Sequence, residues 1–173
     1  TNIMGIAAAL EVSRALGVER FLFASTIYVY SKSGSFYRAS KQAAETIIEA
    51  YSERFNLDYT MLRYGSLYGP RAQRWNGLRR YVEQVIHEER LDYPGTGQER
   101  REYVHVRDAA RLSVDVLNER HRNQAVTITG SQVLSSKELT AMIFEIAGIK
   151  ENITFTEDDR ADDHYSITPY RYT

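Results

Sequence analysis

The sequence contains no cysteine among its 173 residues, which excludes disulfide bonds, a thiol nucleophile and a zinc–thiolate site. Its four histidines have no partners at metal-ligand spacing, so we predict no metal site. The 22 basic and 23 acidic residues give a net charge of −1, which argues against a nucleic-acid or membrane surface. No signal peptide or long apolar run is present, so we expect no membrane association and a cytoplasmic location.

The ten glycines do not form the Gly-rich turn that joins the first strand and helix of a dinucleotide-binding domain. The close pair Gly95 and Gly97 precedes a predicted strand rather than a helix. Together with the start at a threonine, this leads us to expect that the chain is part of a longer protein. With 43% hydrophobic and 26% charged residues, the composition is that of a globular protein with a core.

Apolar spacing predicts alternating helices and strands along most of the chain. Helices are expected at about 3–16, 38–55, 78–89, 109–119 and 135–148, and strands at about 20–24, 58–64, 103–106 and 125–129. The strand–helix–strand order over residues 20–64 is a βαβ unit, which favours a parallel sheet. The fold class is therefore α/β.

The most informative feature is the pair Tyr37 and Lys41, four residues apart on a predicted helix and therefore on one face. A tyrosine has a pKa of about 10, so a base at neutral pH needs a shift of about 3 units, or roughly 4 kcal/mol. A lysine about 6 Å away supplies roughly 3 kcal/mol at an effective dielectric constant of about 20. Thr26 would hold a substrate alcohol while Tyr37 removes its proton, which predicts redox chemistry on a sugar alcohol.

A second pair has the same spacing, Tyr28 and Lys32. Tyr28 ends an apolar strand and runs into a polar loop, whereas Tyr37 opens a helical pattern. We therefore choose Tyr37. The alternative is that Tyr37 only packs at the start of a helix.

Five segments occur in an order that resembles the NAD-dependent epimerase/dehydratase family, the extended short-chain dehydrogenases/reductases that act on nucleotide sugars. The resemblance covers about residues 1–148. The segments are Thr1–Gly5, Phe21–Thr26, the Tyr37/Lys41 pair, Leu62–Arg71, and Gly95–Asp108. They imply part of a Rossmann-type parallel sheet without its N-terminal half, over residues 1–70, and a smaller α/β substrate-binding region, interleaved with it, over residues 71–173.

The resemblance also implies roles for individual residues. The catalytic residues would be Thr26, Tyr37 and Lys41. The cofactor is expected to be NAD, with NADP not excluded, bound near Thr1, Ser25, Tyr37, Lys41, Tyr64 and Gly65. A nucleotide-sugar substrate would lie near Thr26, Ser66, Arg71 and Arg101. A homodimer is expected through the helices at about 3–16 and 38–55.

Three departures from the family pattern bear on the substrate. Only 11 residues separate Thr26 from Tyr37, where the family usually has a longer loop. Ser66 stands where the family usually has an asparagine. Ile27 and Tyr28 follow Thr26, where the 4,6-dehydratases have an Asp-Glu pair that eliminates water. The sequence therefore favours an epimerase, or a close reductase relative, over a dehydratase.

Two alternatives remain at the level of the sequence. A non-catalytic dinucleotide-binding sensor or scaffold of the same superfamily is disfavoured because Thr26, Tyr37 and Lys41 are all present. An independent α/β binding module is disfavoured because its sheet would have an unpaired edge. The sugar, the carbon that reacts and the choice between NAD and NADP are not determined.

Overall fold

The computed structural model describes residues 2–31 and 34–156. The helices are α1 (Asn2–Ala15), α2 (Ser35–Phe55), α3 (Gly77–Glu88), α4 (Val106–Asp115) and α5 (Ser136–Ala147). The strands are β1 (Arg20–Thr26), β2 (Asp58–Tyr64), β3 (Ser66–Tyr68), β4 (Leu91–Pro94), β5 (Arg100–His105), β6 (Gln124–Ile128), β7 (Val133–Ser135) and β8 (Ile153–Thr156). Short 3-10 helices cover Ile27–Tyr30 and Glu119–His121.

The strands form three small sheets, and the first is the parallel sheet β1-β2-β6. The second sheet, β3-β5-β7, pairs β3 and β5 in parallel and β5 and β7 antiparallel. The third is the parallel pair β4-β8. This architecture confirms the predicted α/β fold class with a Rossmann-type parallel sheet. β6 returns to the first sheet. The division into two interleaved regions, with a boundary at residue 70, stays a prediction.

The first sheet is covered on both faces, as expected for a parallel sheet. One core cluster joins α1 and α2 to the sheet, and contains Leu10, Phe23, Ala44, Ile48, Leu57 and Met61. The other joins α4 to the opposite face, and contains Leu62, Val104, Ala109, Val116 and Ile128. A third cluster packs α3 against α5 and contains Val85, Leu91, Leu139, Ile143 and Phe144.

Several local predictions need correction. Tyr28 lies in a 3-10 helix rather than at the end of a strand, because the side chain of Thr26 caps that helix. The sequence predicts Asp108 as the cap of the helix at about 109–119, but Asp108 does not cap α4. The side chain of His105 does so, accepting a hydrogen bond from the Arg107 amide, and Asp108 lies inside the first turn. Arg101 lies within β5 rather than just before a strand.

Candidate functional site

Thr26 ends β1 and is buried at the carboxyl end of the parallel sheet. Its hydroxyl oxygen accepts a hydrogen bond from the Tyr28 amide at 3.3 Å, which starts the short helix Ile27–Tyr30. The carboxyl ends of parallel strands are where open α/β sheets bind ligands. The predicted catalytic hydroxyl therefore lies at the expected edge of the sheet.

Tyr37 lies in the first turn of α2, and 48% of its surface is exposed. The ring of Tyr28 meets it edge-on, with ring centroids 5.9 Å apart and an interplanar angle of 84°. This contact holds the ring of Tyr37 from one side. The phenol is anchored and still accessible to a ligand.

Lys41 follows Tyr37 by one helical turn and reaches the end of β1. Its Nζ atom donates a hydrogen bond to the Ala24 carbonyl oxygen at 2.7 Å and lies 4.6 Å from the centroid of the Phe23 ring. Burial lowers the pKa of Lys41, and the negative charge of Glu45 acts in the opposite direction. The ammonium group of Lys41 therefore lies at Ala24, two residues before Thr26 on β1.

Ser25 is buried, and its hydroxyl donates a 2.5 Å hydrogen bond to Oε1 of Glu45. The same carboxylate receives two hydrogen bonds from Arg63, at 2.6 Å from Nη2 and 3.1 Å from Nε. The Ser25 hydroxyl is therefore hydrogen-bonded within the protein, in a network with Glu45 and Arg63. Its role at a cofactor stays a prediction. Neither Glu45 nor Arg63 was selected from the sequence, although Glu45 continues the four-residue spacing of Tyr37 and Lys41.

Tyr64 is the last residue of β2, and Gly65 lies between β2 and β3. The Tyr64 hydroxyl lies 2.5 Å from Oγ of Ser113 on α4, and Ser113 in turn donates to the Ala109 carbonyl. Gly65 donates its amide hydrogen to the Ile128 carbonyl at 2.9 Å. A Cβ at Gly65 would lie 2.8 Å from the Thr129 methyl group, so a glycine is required by packing within the protein. Proximity of these two residues to a cofactor stays a prediction.

Arg71 is exposed, with a left-handed φ of 64°, and lines a cavity of about 570 Å³. The cavity lies at the N-terminus of α3, where Asn76 accepts a hydrogen bond from the Arg79 amide at 3.0 Å. Arg79 lines it as well and donates from Nη1 to the Ala72 carbonyl at 2.5 Å. Arg79 also pairs with Glu83 at 2.7 Å, and Glu83 lines the same cavity. Arg71 and the helix N-terminus are therefore the groups that favour an anion. The sequence pattern did not lead to Arg79. Asn76 is a typical helix N-cap, and it would have indicated that Arg79 lies in the first turn of a helix.

Arg101 lies opposite Leu134 in the β5–β7 pairing. Burial raises the pKa of Tyr81 on α3, and the charge of Arg101 acts in the opposite direction. Arg101 does not line the cavity at Arg71, whose walls are residues 68–72 together with Asn76, Leu78, Arg79, Val82 and Glu83. Ser66 begins β3 and pairs with Tyr103, two residues beyond Arg101.

The predicted cofactor residue Thr1 lies outside the described residues, as do residues 157–173. None of the helices within 2–31 and 34–156 combines the length and apolar character needed to span a bilayer. In the same ranges, no three histidine or carboxylate side chains are grouped to hold a metal ion.

Comparisons with known proteins agree with the geometry. The profile of the NAD dependent epimerase/dehydratase family matches residues 1–129. An uncharacterized UDP-glucose epimerase of Bacillus subtilis is 27% identical over 90% of this chain and 54% of its own length. A dTDP-glucose 4,6-dehydratase of Streptomyces griseus is 28% identical over 99% of this chain and 57% of its own.

Solved structures contain the same fold. The UDP-glucose 4-epimerase of Thermotoga maritima, crystallised with UDP-glucose, superposes with a TM-score of 0.87 and 26% identity. The match covers 99% of this chain and 61% of that one. The chain therefore spans between one half and two thirds of the length of these proteins.

Proposed function

Because this chain belongs to the NAD-dependent epimerase/dehydratase family, we propose that it forms part of an epimerase acting on a nucleotide-diphosphate sugar. The observation that carries the proposal is the arrangement on α2. The accessible phenol of Tyr37 lies one turn before a lysine that is tied to the end of β1, next to the buried Thr26. The side chains that the chemistry needs thus lie on β1, which ends at the carboxyl edge of the parallel sheet, and on α2, which packs against β1.

Tyr37 is the proposed acid/base. Lys41 supplies a positive charge one turn away, which stabilises the phenolate form of Tyr37. The Thr26 hydroxyl has its oxygen bonded to the Tyr28 amide, so its own hydrogen is left to donate to a sugar oxygen. Tyr37 takes the proton of the reacting hydroxyl and later returns one, and such catalysis is typically worth a factor of 10² to 10⁴.

The residues of this chain fit the nicotinamide end of the NAD that the family uses. Lys41 lies near the end of β1 and can reach a ribose hydroxyl. Ser25 is the penultimate residue of β1, and Tyr64 ends the paired strand β2. NAD supplies the hydride acceptor when bound. The Gly-rich turn that would hold the pyrophosphate of the cofactor is not found in this sequence.

The sugar nucleotide is proposed to lie along α3. The cavity with Arg71 and Arg79 adjoins a second cavity of about 640 Å³ between α3 and α5, and both are lined by Tyr68, Leu78 and Val82. A diphosphate would contact Arg71 and the N-terminus of α3, while the apolar walls suit a nucleoside. Ser66 and Arg101 would complete the site from β3 and β5. A cytoplasmic location is part of this proposal.

An epimerase is favoured over a 4,6-dehydratase because Ile27 is buried and Tyr28 packs on Tyr37. Neither side chain is a carboxyl group, so the Asp-Glu pair that eliminates water in the 4,6-dehydratases has no counterpart at these two positions. The dehydratases among the relatives make this the second candidate. A non-catalytic sensor would not require the accessible phenol of Tyr37 beside a lysine.

A homodimer through α1 and α2 is the proposed assembly. The two helices pack side by side. Exposed apolar side chains are Met4 (76%) and Val12 (57%) on α1, Leu16 (75%) just after it and Phe55 (43%) at the end of α2. A second copy of the same surface would cover them with two-fold symmetry.

The direct test is product analysis with the longer protein that we expect to contain this chain. The protein is incubated with NAD and a panel of UDP- and dTDP-hexoses, and the sugars released by mild acid are separated. The expected product is an epimer of the supplied sugar, with the configuration inverted at one carbon. A 4-keto-6-deoxy sugar would instead identify a dehydratase, and binding without any product would favour the sensor.

A further inference from the structure

A buried ion pair lies directly beneath the candidate catalytic helix. The side chains of Arg63 and Glu45 are 18% and 9% exposed, and two hydrogen bonds join them. Although burial acts to lower the pKa of Arg63, its bonds with Glu45 raise that pKa above its ordinary value. Buried ion pairs contribute little to stability compared with apolar residues of similar size. A role in the site is the better explanation for this pair.

The pair connects every element that carries the candidate catalytic residues. Glu45 lies one turn beyond Lys41 on α2 and accepts the hydroxyl of Ser25, the neighbour of Thr26. Arg63 on β2 donates to the Tyr30 hydroxyl at 2.5 Å, and its guanidinium lies 4.8 Å from the centroid of that ring. The 3-10 helix that contains Tyr30 also contains Tyr28, which contacts Tyr37.

We propose that Glu45 and Arg63 are positioning residues of the catalytic centre, in which Arg63 engages the Glu45 carboxylate and so leaves the positive charge of Lys41 available to Tyr37. The inference rests on the proposed function, since it assigns a purpose to the charge next to Tyr37.

The charges around the phenol determine the direction of the effect. Glu45 is one turn from Lys41, close enough for its charge to act on the lysine. With Arg63 present, the group of Lys41, Glu45 and Arg63 has a net charge of +1, and without Arg63 it has none. Other charged or titratable side chains lie on α2 and on the elements packed against it. They are Tyr28 and Tyr30 from the 3-10 helix, Arg38, which donates to the Ser31 carbonyl, Glu11 on α1, which accepts the Tyr51 hydroxyl, and Glu49 on α2, which acts on Tyr59 of β2.

Opposite shifts are expected from the two single variants. Arg63→Gln removes a positive charge and should raise the pKa of the Tyr37 phenol, because the phenolate is then less stabilised. Glu45→Gln removes a negative charge and should lower that pKa. The double variant should return it toward the wild-type value.

The experiment is an ultraviolet difference titration of the longer protein, in which the spectrum of the matching Tyr37→Phe protein is subtracted to isolate the Tyr37 phenolate. The pH profile of kcat/KM is measured alongside. Activity that needs the phenolate rises through its pKa, so the rising limb should move to higher pH in Arg63→Gln and to lower pH in Glu45→Gln. Glu88→Gln, which removes one partner of the exposed Glu88–Arg90 pair, is the control. It should change neither the phenolate titration nor the pH profile of kcat/KM.

Shifts of the same sign in both single variants, or no shift, would overturn the inference. Arg63→Gln leaves a buried carboxylate unpaired, and if it fails to fold, Glu45→Gln and the double variant provide the test. Glu45→Gln must then lower the pKa of the Tyr37 phenol, and the double variant must restore it. The titration needs no turnover. Opposite phenol shifts in a protein that converts no sugar nucleotide would therefore count against the proposed function and support the positioning of charge.

Discussion

At the scale of single residues, the centre depends on which tyrosine is paired with a lysine on a helix. Tyr37→Phe should lower turnover at least about a hundredfold and leave the affinity for the sugar nucleotide within a few-fold, because it removes the proton-transfer group and keeps the ring. Steady-state kinetics and substrate titration of the longer protein measure the two effects.

Tyr28→Phe is the matched control for this change. Its ring packs edge-on against Tyr37, and the substitution keeps that ring, so turnover should stay within a few-fold of wild type. If both variants lose activity equally, the wrong tyrosine has been identified as the acid/base.

Arg101 is predicted to bind the diphosphate of the substrate. Arg101→Ala should raise KM about ten- to hundredfold with a much smaller effect on kcat, because a lost hydrogen bond to a charged group costs about 1.5–3 kcal/mol of largely uniform binding. Arg100→Ala, at the exposed neighbouring position, should change KM little. Calorimetric titration with the nucleoside diphosphate provides the measurement, and unchanged affinity in Arg101→Ala would make this arginine structural.

At the scale of elements, the long helices α2, α3 and α5 were predictable within about three residues, whereas the shortest strands were not. Ser135 and Glu138 form the capping box that their spacing predicts. β3 has three residues, and β4 pairs with β8 about sixty residues later. Such strands are defined by a distant partner rather than by their own periodicity.

The junction after β2 offers a test of packing between elements. Gly65→Ala should lower the free energy of unfolding by about 1–3 kcal/mol, because the added methyl group would overlap the Thr129 side chain and the Glu102 carbonyl oxygen, 2.8 Å and 2.9 Å away. Gly5→Ala, in α1 with no atom within 4 Å of the new methyl group, should raise it by about 0.5–1 kcal/mol. Urea unfolding of both variants measures the difference, and equal stabilities would contradict the packing argument.

At the scale of the whole molecule, cofactor binding should depend on a part of the fold that this sequence does not supply. The 173-residue chain by itself should bind no NAD with micromolar affinity, because its side chains reach only the nicotinamide end and the pyrophosphate needs amides at a Gly-rich turn. Coenzyme fluorescence titration, with size-exclusion chromatography alongside, tests this. Micromolar binding by a monomer would contradict it.

The sequence by itself determined the family, the α/β class and the NAD cofactor of that family, because each depends on local spacing or on the order of motifs along the chain. The choice of Tyr37 over Tyr28 rests on the same kind of local pattern and stays a prediction. Only the tertiary structure decided where the charges meet. Hydrogen bonds join residues 17 to 20 positions apart, namely Arg63 to Glu45, Ser25 to Glu45 and Lys41 to Ala24 of β1. Arg79 lines its cavity because α3 begins beside that cavity. Buried charges and hydrogen bonds are satisfied by whichever partners the fold brings near, and no periodicity in the sequence records that choice.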